Sequence, residues 1–194
     1  MVKKVEKFKT EINYIKDASI RKDLRKLISM LPDYFFEIPA STTLKYHPEY
    51  ARSDGGLVKH TKTAVRIAYE LFDNNAFGMR FGDKDRDLII MALVLHDGMK
   101  HGKTMESHTR FDHPLLMSEF ILKNTAKLNL EMDDVRKVCA MIESHMGEYT
   151  IDPNTDREVL PKPRTMEQRF VHMCDYLASR KFLGIKFEEG EIVD

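Results

Sequence analysis

Eight histidines are spread along this 194-residue chain, and four of them fall where chemistry is plausible. His60, His96, His113 and His145 lie on or at the ends of four successive stretches with helical periodicity. His96 is followed at once by Asp97, where the apolar run Leu88 to Leu95 ends. A buried helix that finishes on an imidazole and a carboxylate costs on the order of several kcal/mol unless something coordinates them. A sixth position, Asp175, sits in the largely apolar segment Phe170 to Ala178 and needs a partner for the same reason. Imidazole and carboxylate together suit a divalent transition metal: Mn, Fe, Co, Ni or Zn.

The elements that must carry these residues read as helices. Residues 4–31 hold Ile12, Ile15, Ile20, Leu24, Leu27 and Ile28 at helical spacing and stop at Leu31-Pro32. Residues 33–54, with Pro39 and Pro48, read as irregular. Helices are then expected over 56–74, 83–96, 114–127, 133–145 and 163–182, with a polar loop at Asp152-Pro153-Asn154. Ile185 to Val193 alternates around Glu189-Gly190 and predicts a small C-terminal β-hairpin. Nothing alternates helix with strand, so the expected fold is an all-α bundle forming one domain over residues 1–194, with N-terminal helices over 4–31.

Composition sets the remaining bounds. Hydrophobic residues make up 42% and charged residues 32%, the balance of a folded domain rather than a disordered one. Thirty-one basic and 31 acidic side chains cancel, which argues against tight nonspecific binding of nucleic acid. Cys139 and Cys174 form no metal or redox motif and read as buried free thiols. The Lys-rich start, Met1 to Thr10, has no apolar stretch behind it, and Leu88 to Leu95 is too short to cross a bilayer. A cytoplasmic location with no membrane partner is the expectation.

The ordered set Gly55-Gly56-Leu57-Val58-Lys59-His60, His96-Asp97, a lone His on a following helix, and Asp175 resembles the HD superfamily of metal-dependent phosphohydrolases over roughly residues 44–183. In pattern it is most similar to the HD domains of certain bacterial 3′–5′ exoribonucleases, which share the Gly-Gly-Leu-x-x-His opening, a His near His145, and a run like Pro163-Arg164-Thr165-Met166-Glu167. The resemblance implies an HD-domain helical bundle in which His60, His96, Asp97 and Asp175 bind a first metal. It implies that His113 and His145 add a second ion bridged by Asp97, as in the binuclear branch. His108, in a polar loop, competes with His113 for that role or serves as a substrate contact. Lys100 matches the family's phosphate-side lysine, although Gly98-Met99 stands where the family has an apolar residue and then Gly.

The implied function is hydrolysis of a nucleotide or phosphodiester by one or two divalent ions (Mn, Fe, Mg, Co, Ni or Zn). Asp97 and Lys100 are the catalytic candidates, and a nucleotide or short oligonucleotide is the expected substrate. Two alternatives stay open: a nuclease acting on longer RNA or DNA, and a di-iron oxygenase built on the same six ligands. His108, Arg110 and Arg164 are candidate substrate contacts, with Arg180 and Lys181 as further cations that could meet phosphate. His47 and His172 read as structural, and His101 and Lys103 as parts of a solvated loop.

Overall fold

The computed structural model describes residues 2–43 and 47–193; positions 44–46, where the family resemblance begins, lie outside the described residues. Helices dominate: α1 (Val2–Glu6), α2 (Lys9–Tyr14), α3 (Ala18–Met30), α4 (Gly56–Phe72), α5 (Asn75–Gly78), α6 (Asp83–Leu95), α7 (His113–Lys123), α8 (Met132–Glu143) and α9 (Met166–Ala178). Two antiparallel hairpins complete the described chain, β1 (Ile151–Asp152) with β2 (Arg157–Glu158), and β3 (Lys186–Glu188) with β4 (Glu191–Val193). The all-α bundle and its C-terminal hairpin are as expected.

Helix α6 is the axis of the molecule. Every residue from Leu88 to Leu95 is buried, because α2, α3, α4, α8 and α9 all pack around it. A helix apolar on all sides is stable only in such a position. Its C-terminal end therefore lies deep, and the residues that follow Leu95 emerge inside the protein rather than at its surface.

Helix α4 starts where Gly55 takes φ +68° and Gly56 presses against the 49–51 turn. A Cβ at position 56 would stand only 2.2 Å from the Ala51 carbonyl oxygen. The Gly-Gly pair thus sets the entry of α4 and, with it, the direction of His60. Helix α9 begins with a capping box: the Thr165 side chain accepts from the Gln168 N–H, and the Gln168 side chain accepts from the Thr165 N–H.

Several boundaries differ from the sequence pattern. The N-terminal helices are three, and the break between α2 and α3 is held by Asp87 on α6, which accepts the Lys16 and Asp17 N–H groups at 2.9 and 2.8 Å. Asp17 in turn caps α3 through Ser19 and Ile20. Residues 33–36 and 49–51 of the irregular stretch wind into 3₁₀ turns. Helix α7 ends at Lys123 and gives way to a 3₁₀ turn over 125–127. The capping box delays α9 to Met166, and α9 stops at Ala178, short of Phe182. The Asp152-Pro153-Asn154 loop is the tip of β1–β2. His101 is buried rather than solvated: its ring donates from Nδ1 to the Glu106 carbonyl, and its backbone N–H reaches the Tyr34 hydroxyl. Lys103 does stay at the surface, paired with Glu119.

One long-range clasp ties the first and last segments of the fold to α4. Lys62 is only 2% exposed, with its ammonium 2.5 Å from Glu191 on β4 and 3.7 Å from Glu11 on α2. Thr10 donates to the other Glu191 oxygen. Cys139 and Cys174 are free and buried. Among the described residues, no helix is long and apolar enough to cross a membrane.

Candidate metal centre

His96 and Asp97 occupy the first turn of chain beyond α6, both fully buried. Four other side chains converge on them: His60 from α4, His113 from the start of α7, His145 just past α8, and Asp175 from α9. His60 Nε2 lies 2.8 Å from Asp175 Oδ1 and 3.9 Å from Asp97 Oδ2. His96 Nε2 is 3.3 Å from Asp175 Oδ1 and 3.4 Å from Asp97 Oδ2. On the other side of the same carboxylate, His113 Nε2 is 2.9 Å and His145 Nε2 is 3.8 Å from Asp97 Oδ1.

The imidazoles are held by one repeated device. His96, His113 and His145 each donate from Nδ1 to the backbone carbonyl three residues earlier, on Leu93, Arg110 and Ile142, at 2.6, 2.6 and 2.8 Å. A carbonyl can only accept, so each Nδ1 carries a proton and each Nε2 is the ring atom aimed inward. This is the arrangement that fixes the tautomer of metal-binding histidines.

The donor set fits a cation better than it fits itself. His113 and His145 present their Nε2 atoms to each other at 3.4 Å, and two lone pairs at that separation repel. His96 Nε2 and Asp97 Oδ1 are buried without an aligned hydrogen bond, although partners stand close by. Two groups of three have their ligand atoms within 4.8 Å of one another: His60, His96 and Asp175, and His96, Asp97 and His145. Such a set of nitrogens and carboxylate oxygens suits a divalent metal.

Electrostatics agree. Burial opposes a charge on His96, yet Asp97 and Asp175 overcome it and push its pKa up to about 10. Burial raises the Asp97 carboxyl, but Lys100 and His96 outweigh it and hold it well below the ordinary range. Asp175 is likewise held low, by His60 and His96 against its own burial. His145 goes the other way, down to about 3, through burial and then the neighbouring His96. Two carboxylates that stay ionised and a His145 imidazole that stays neutral are protonation states metal binding requires, while His96 holds a proton that a bound cation would displace.

Lys100 keeps its place despite the Gly98-Met99 departure. Gly98 fits tightly against Leu31 and Met117, Met99 is buried, and Lys100 Nζ reaches to 2.5 Å from Asp97 Oδ2. Above the cluster opens a cavity of about 190 Å³ whose wall includes Lys100, His47, Tyr149, His172, Tyr176 and Arg180. His108 is exposed and bonds Ser107. The Arg110 guanidinium is taken by Asp112 and Glu106, and the exposed Arg164 contributes its backbone N–H to the α9 cap. None of these three lines the cavity, although the Arg110 carbonyl orients His113.

His47 and His172, read from sequence as structural, stand on the cavity wall. His47 packs edge-on against His60, ring centroids 5.0 Å apart. His172 donates from Nδ1 to the His145 carbonyl at 2.7 Å, and its ring fills the space beside Gly147, which takes φ +66°. One signal for His172 was available: it precedes Asp175 by three residues and so shares its helix face.

Comparison with known proteins bears on the same residues. A family model described as the HD domain matches residues 55–180, and the chain belongs to the HD domain family. Among curated proteins, the chain is 28% identical over 153 residues to the dihydroneopterin 2′,3′-cyclic phosphate phosphodiesterase of Methanocaldococcus jannaschii. That match covers 74% of this chain and 52% of the relative, so the chain spans about half the length of the curated relative it matches. No solved structure matches the chain. The relative is a cyclic phosphate phosphodiesterase, not an exoribonuclease of the kind the motif pattern first suggested.

Proposed function

We propose that this chain is a metal-dependent phosphodiesterase acting on small substrates, with cyclic phosphodiesters as the leading class. The observation that carries the reading is Lys100. Its ammonium stands on the cavity wall beside Asp97 Oδ2, a fixed positive charge next to the cluster where a phosphate would meet it. The named activity of the archaeal relative supports the same chemistry.

His60, His96, Asp97 and Asp175 would hold the first divalent ion, and His113 and His145 would hold a second together with Asp97. When bound, such ions acidify water and polarise a phosphoryl oxygen. The chain's own part is to keep two carboxylates ionised, to aim the Nε2 lone pairs, and to offer Lys100 to the charge that builds on phosphate. A cavity of about 190 Å³ favours a nucleotide or short oligonucleotide over a long strand. The ligand set by itself would equally serve a di-iron oxygenase, and the placement of Lys100 favours phosphate.

Metal analysis followed by a substrate panel tests the proposal. Two ions per chain, and hydrolysis of 2′,3′-cyclic nucleotides faster than of long RNA, are expected with Mn or Fe. His145→Ala should fall to one ion per chain and lose more than about 100-fold in rate, beyond the upper end seen for residues that only support a ligand. Oxygen uptake without phosphate chemistry would overturn the reading in favour of the oxygenase.

A further inference from the structure

The cavity mouth carries two aromatic rings that the metal chemistry does not use. Tyr149 comes from the segment after α8 and is 71% exposed; Tyr176 lies on α9, one residue beyond Asp175, and is 45% exposed. Both belong to the wall of the cavity above the His–Asp cluster.

The other described tyrosines are occupied within the protein. Tyr14 and Tyr69 stack on each other at 3.9 Å. Tyr34 packs on His101 and donates to the Gly102 carbonyl, while Tyr50 packs on Phe187 and donates to the Ala178 carbonyl. Tyr149 has no ring partner and no side-chain hydrogen bond among the described residues.

Tyr176 is braced on two sides: its ring meets that of His172, centroids 6.1 Å apart, and a cation. The Arg180 guanidinium lies 4.1 Å from its ring centroid, a cation–π distance. Arg180 is itself tethered to the Tyr176 carbonyl and, at 2.7 Å, to the Ser179 hydroxyl. It makes no ion pair with a carboxylate among the described residues, unlike Arg110. One face of Tyr176 is therefore backed by a cation while nearly half of the residue's surface stays open.

Size divides the labour between floor and mouth. A cavity of about 190 Å³ falls short of the roughly 300–1,000 Å³ that encloses a drug-sized ligand. That volume suits a phosphodiester and the carbons attached to it, and a ring system carried on those carbons would lie at the mouth. An alkyl phosphate has no use for two exposed tyrosines there.

We infer that Tyr149 and Tyr176 are the specificity platform of this enzyme, receiving a flat heteroaromatic ring (a nucleobase or a comparable fused nitrogen heterocycle) carried by the substrate. The ring packs at the mouth while the phosphodiester sits over Asp97 and Lys100, and Arg180 acts as a positioning residue for Tyr176. The inference rests on the phosphodiesterase reading above and adds to it the class of alcohol. Stacking accepts any π-face, so the platform selects for a ring and discriminates little between adenine and guanine.

The test uses the full chain loaded with Mn²⁺ and a matched pair of substrates, 2′,3′-cyclic AMP and ribose 2,3-cyclic phosphate, which share the cyclic phosphodiester and differ in the base. The wild-type protein should prefer cyclic AMP by about 30-fold or more in kcat/KM, mainly through KM, with Tyr149→Ala and Tyr176→Ala each lowering that preference about tenfold. Tyr149→Phe and Tyr176→Phe should keep it, and Arg180→Ala should weaken it as Tyr176→Ala does, but less. Both tyrosines are exposed, and far-UV circular dichroism checks that the variants stay folded. No preference in the wild type, or an undiminished one in both alanine variants, overturns the platform. Should the wild type hydrolyse neither compound, the phosphodiesterase reading fails separately. The platform is then decided by calorimetric binding of AMP against ribose 5-phosphate: an advantage for AMP that the alanine variants remove upholds it, and equal affinities overturn it.

Discussion

Two pairs of aspartates that point into this protein, on helices or just beyond them, behave in opposite ways. Asp23 and Asp87 are buried and completely served by the chain. Asp87 accepts the Lys16 and Asp17 N–H groups, and Asp23 accepts from the Asn129 and Leu130 N–H groups and from the Asn129 side chain. Asp97 and Asp175 face imidazoles instead, and Asp97 keeps a buried oxygen with no aligned donor. Backbone amides are neutral donors that ask for nothing further, so the first pair ends in closed hydrogen-bond sets. The second pair is left open toward one point. A buried carboxylate marks a site when its partners leave it incomplete, and burial alone marks nothing.

The sharpest way to break that contrast is Asp97→Ala. It should remove metal binding and lower turnover by at least about a thousandfold, while the melting temperature of the metal-free protein moves by no more than the equivalent of about 1 kcal/mol. Metal analysis and melts on one preparation check both halves, and retained metal with retained activity would end the distinction. Asp87→Ala should do the reverse. Two backbone N–H groups of the α2–α3 turn lose the buried carboxylate that they share, which costs about 3 kcal/mol, or roughly 6–12 °C for a domain of this size. Metal content and kcat should stay at wild-type values below the new transition.

Lys100→Ala probes the open side more gently: both metals bound, KM little changed, and kcat down about 100-fold. Loss of metal in that variant would recast Lys100 as a support for Asp97 rather than a phosphate contact. The smallest effect expected is a pH dependence confined to the metal-free protein. His96 is raised from 6.5 to about 10 in the folded state, so the folded protein holds a proton that the unfolded chain has lost. Its contribution to stability is full below pH 6.5 and disappears as pH climbs toward 10. Melting temperatures in chelator should therefore fall across that window. With metal bound the His96 proton is already gone, and the decline should be absent. A flat profile in chelator would show that His96 does not carry the site's positive charge.

The open pair was more legible in the sequence than the closed one. His60, His96-Asp97, His113, His145 and Asp175 stand out because their types are costly in apolar surroundings, and the structure brings all six together. Helix α6 was equally plain, since a run like Leu88 to Leu95 has only one comfortable place. The roles of Asp23 and Asp87 were hidden: each acts on backbone far away in the chain, and no local pattern shows that Lys16 and Asp17 will be captured from α6. That is why residues 4–31 read as one periodic stretch. The β1–β2 hairpin was hidden for another reason, having strands of two residues each, too short to show alternation, and a turn with Asp156 at φ +55°. Tyr149 escaped notice, and His47 and His172 read as structural, because cavity walls are assembled across elements, whereas ligand pairs such as His96-Asp97 are visible within one.

The clasp on Lys62 bears on the order in which a nascent chain can finish this fold. Every proposed metal ligand, from His60 to Asp175, is synthesised before Glu191 exists. Until then the Lys62 ammonium, two residues past His60 on the same helix, has Glu11 at 3.7 Å but lacks the closer carboxylate for a charge that the finished fold removes from water. An ammonium in that state resists burial, so the final depth of α4, and with it the place of His60, depends on a contact that spans residues 10 to 191 and touches none of the ligands.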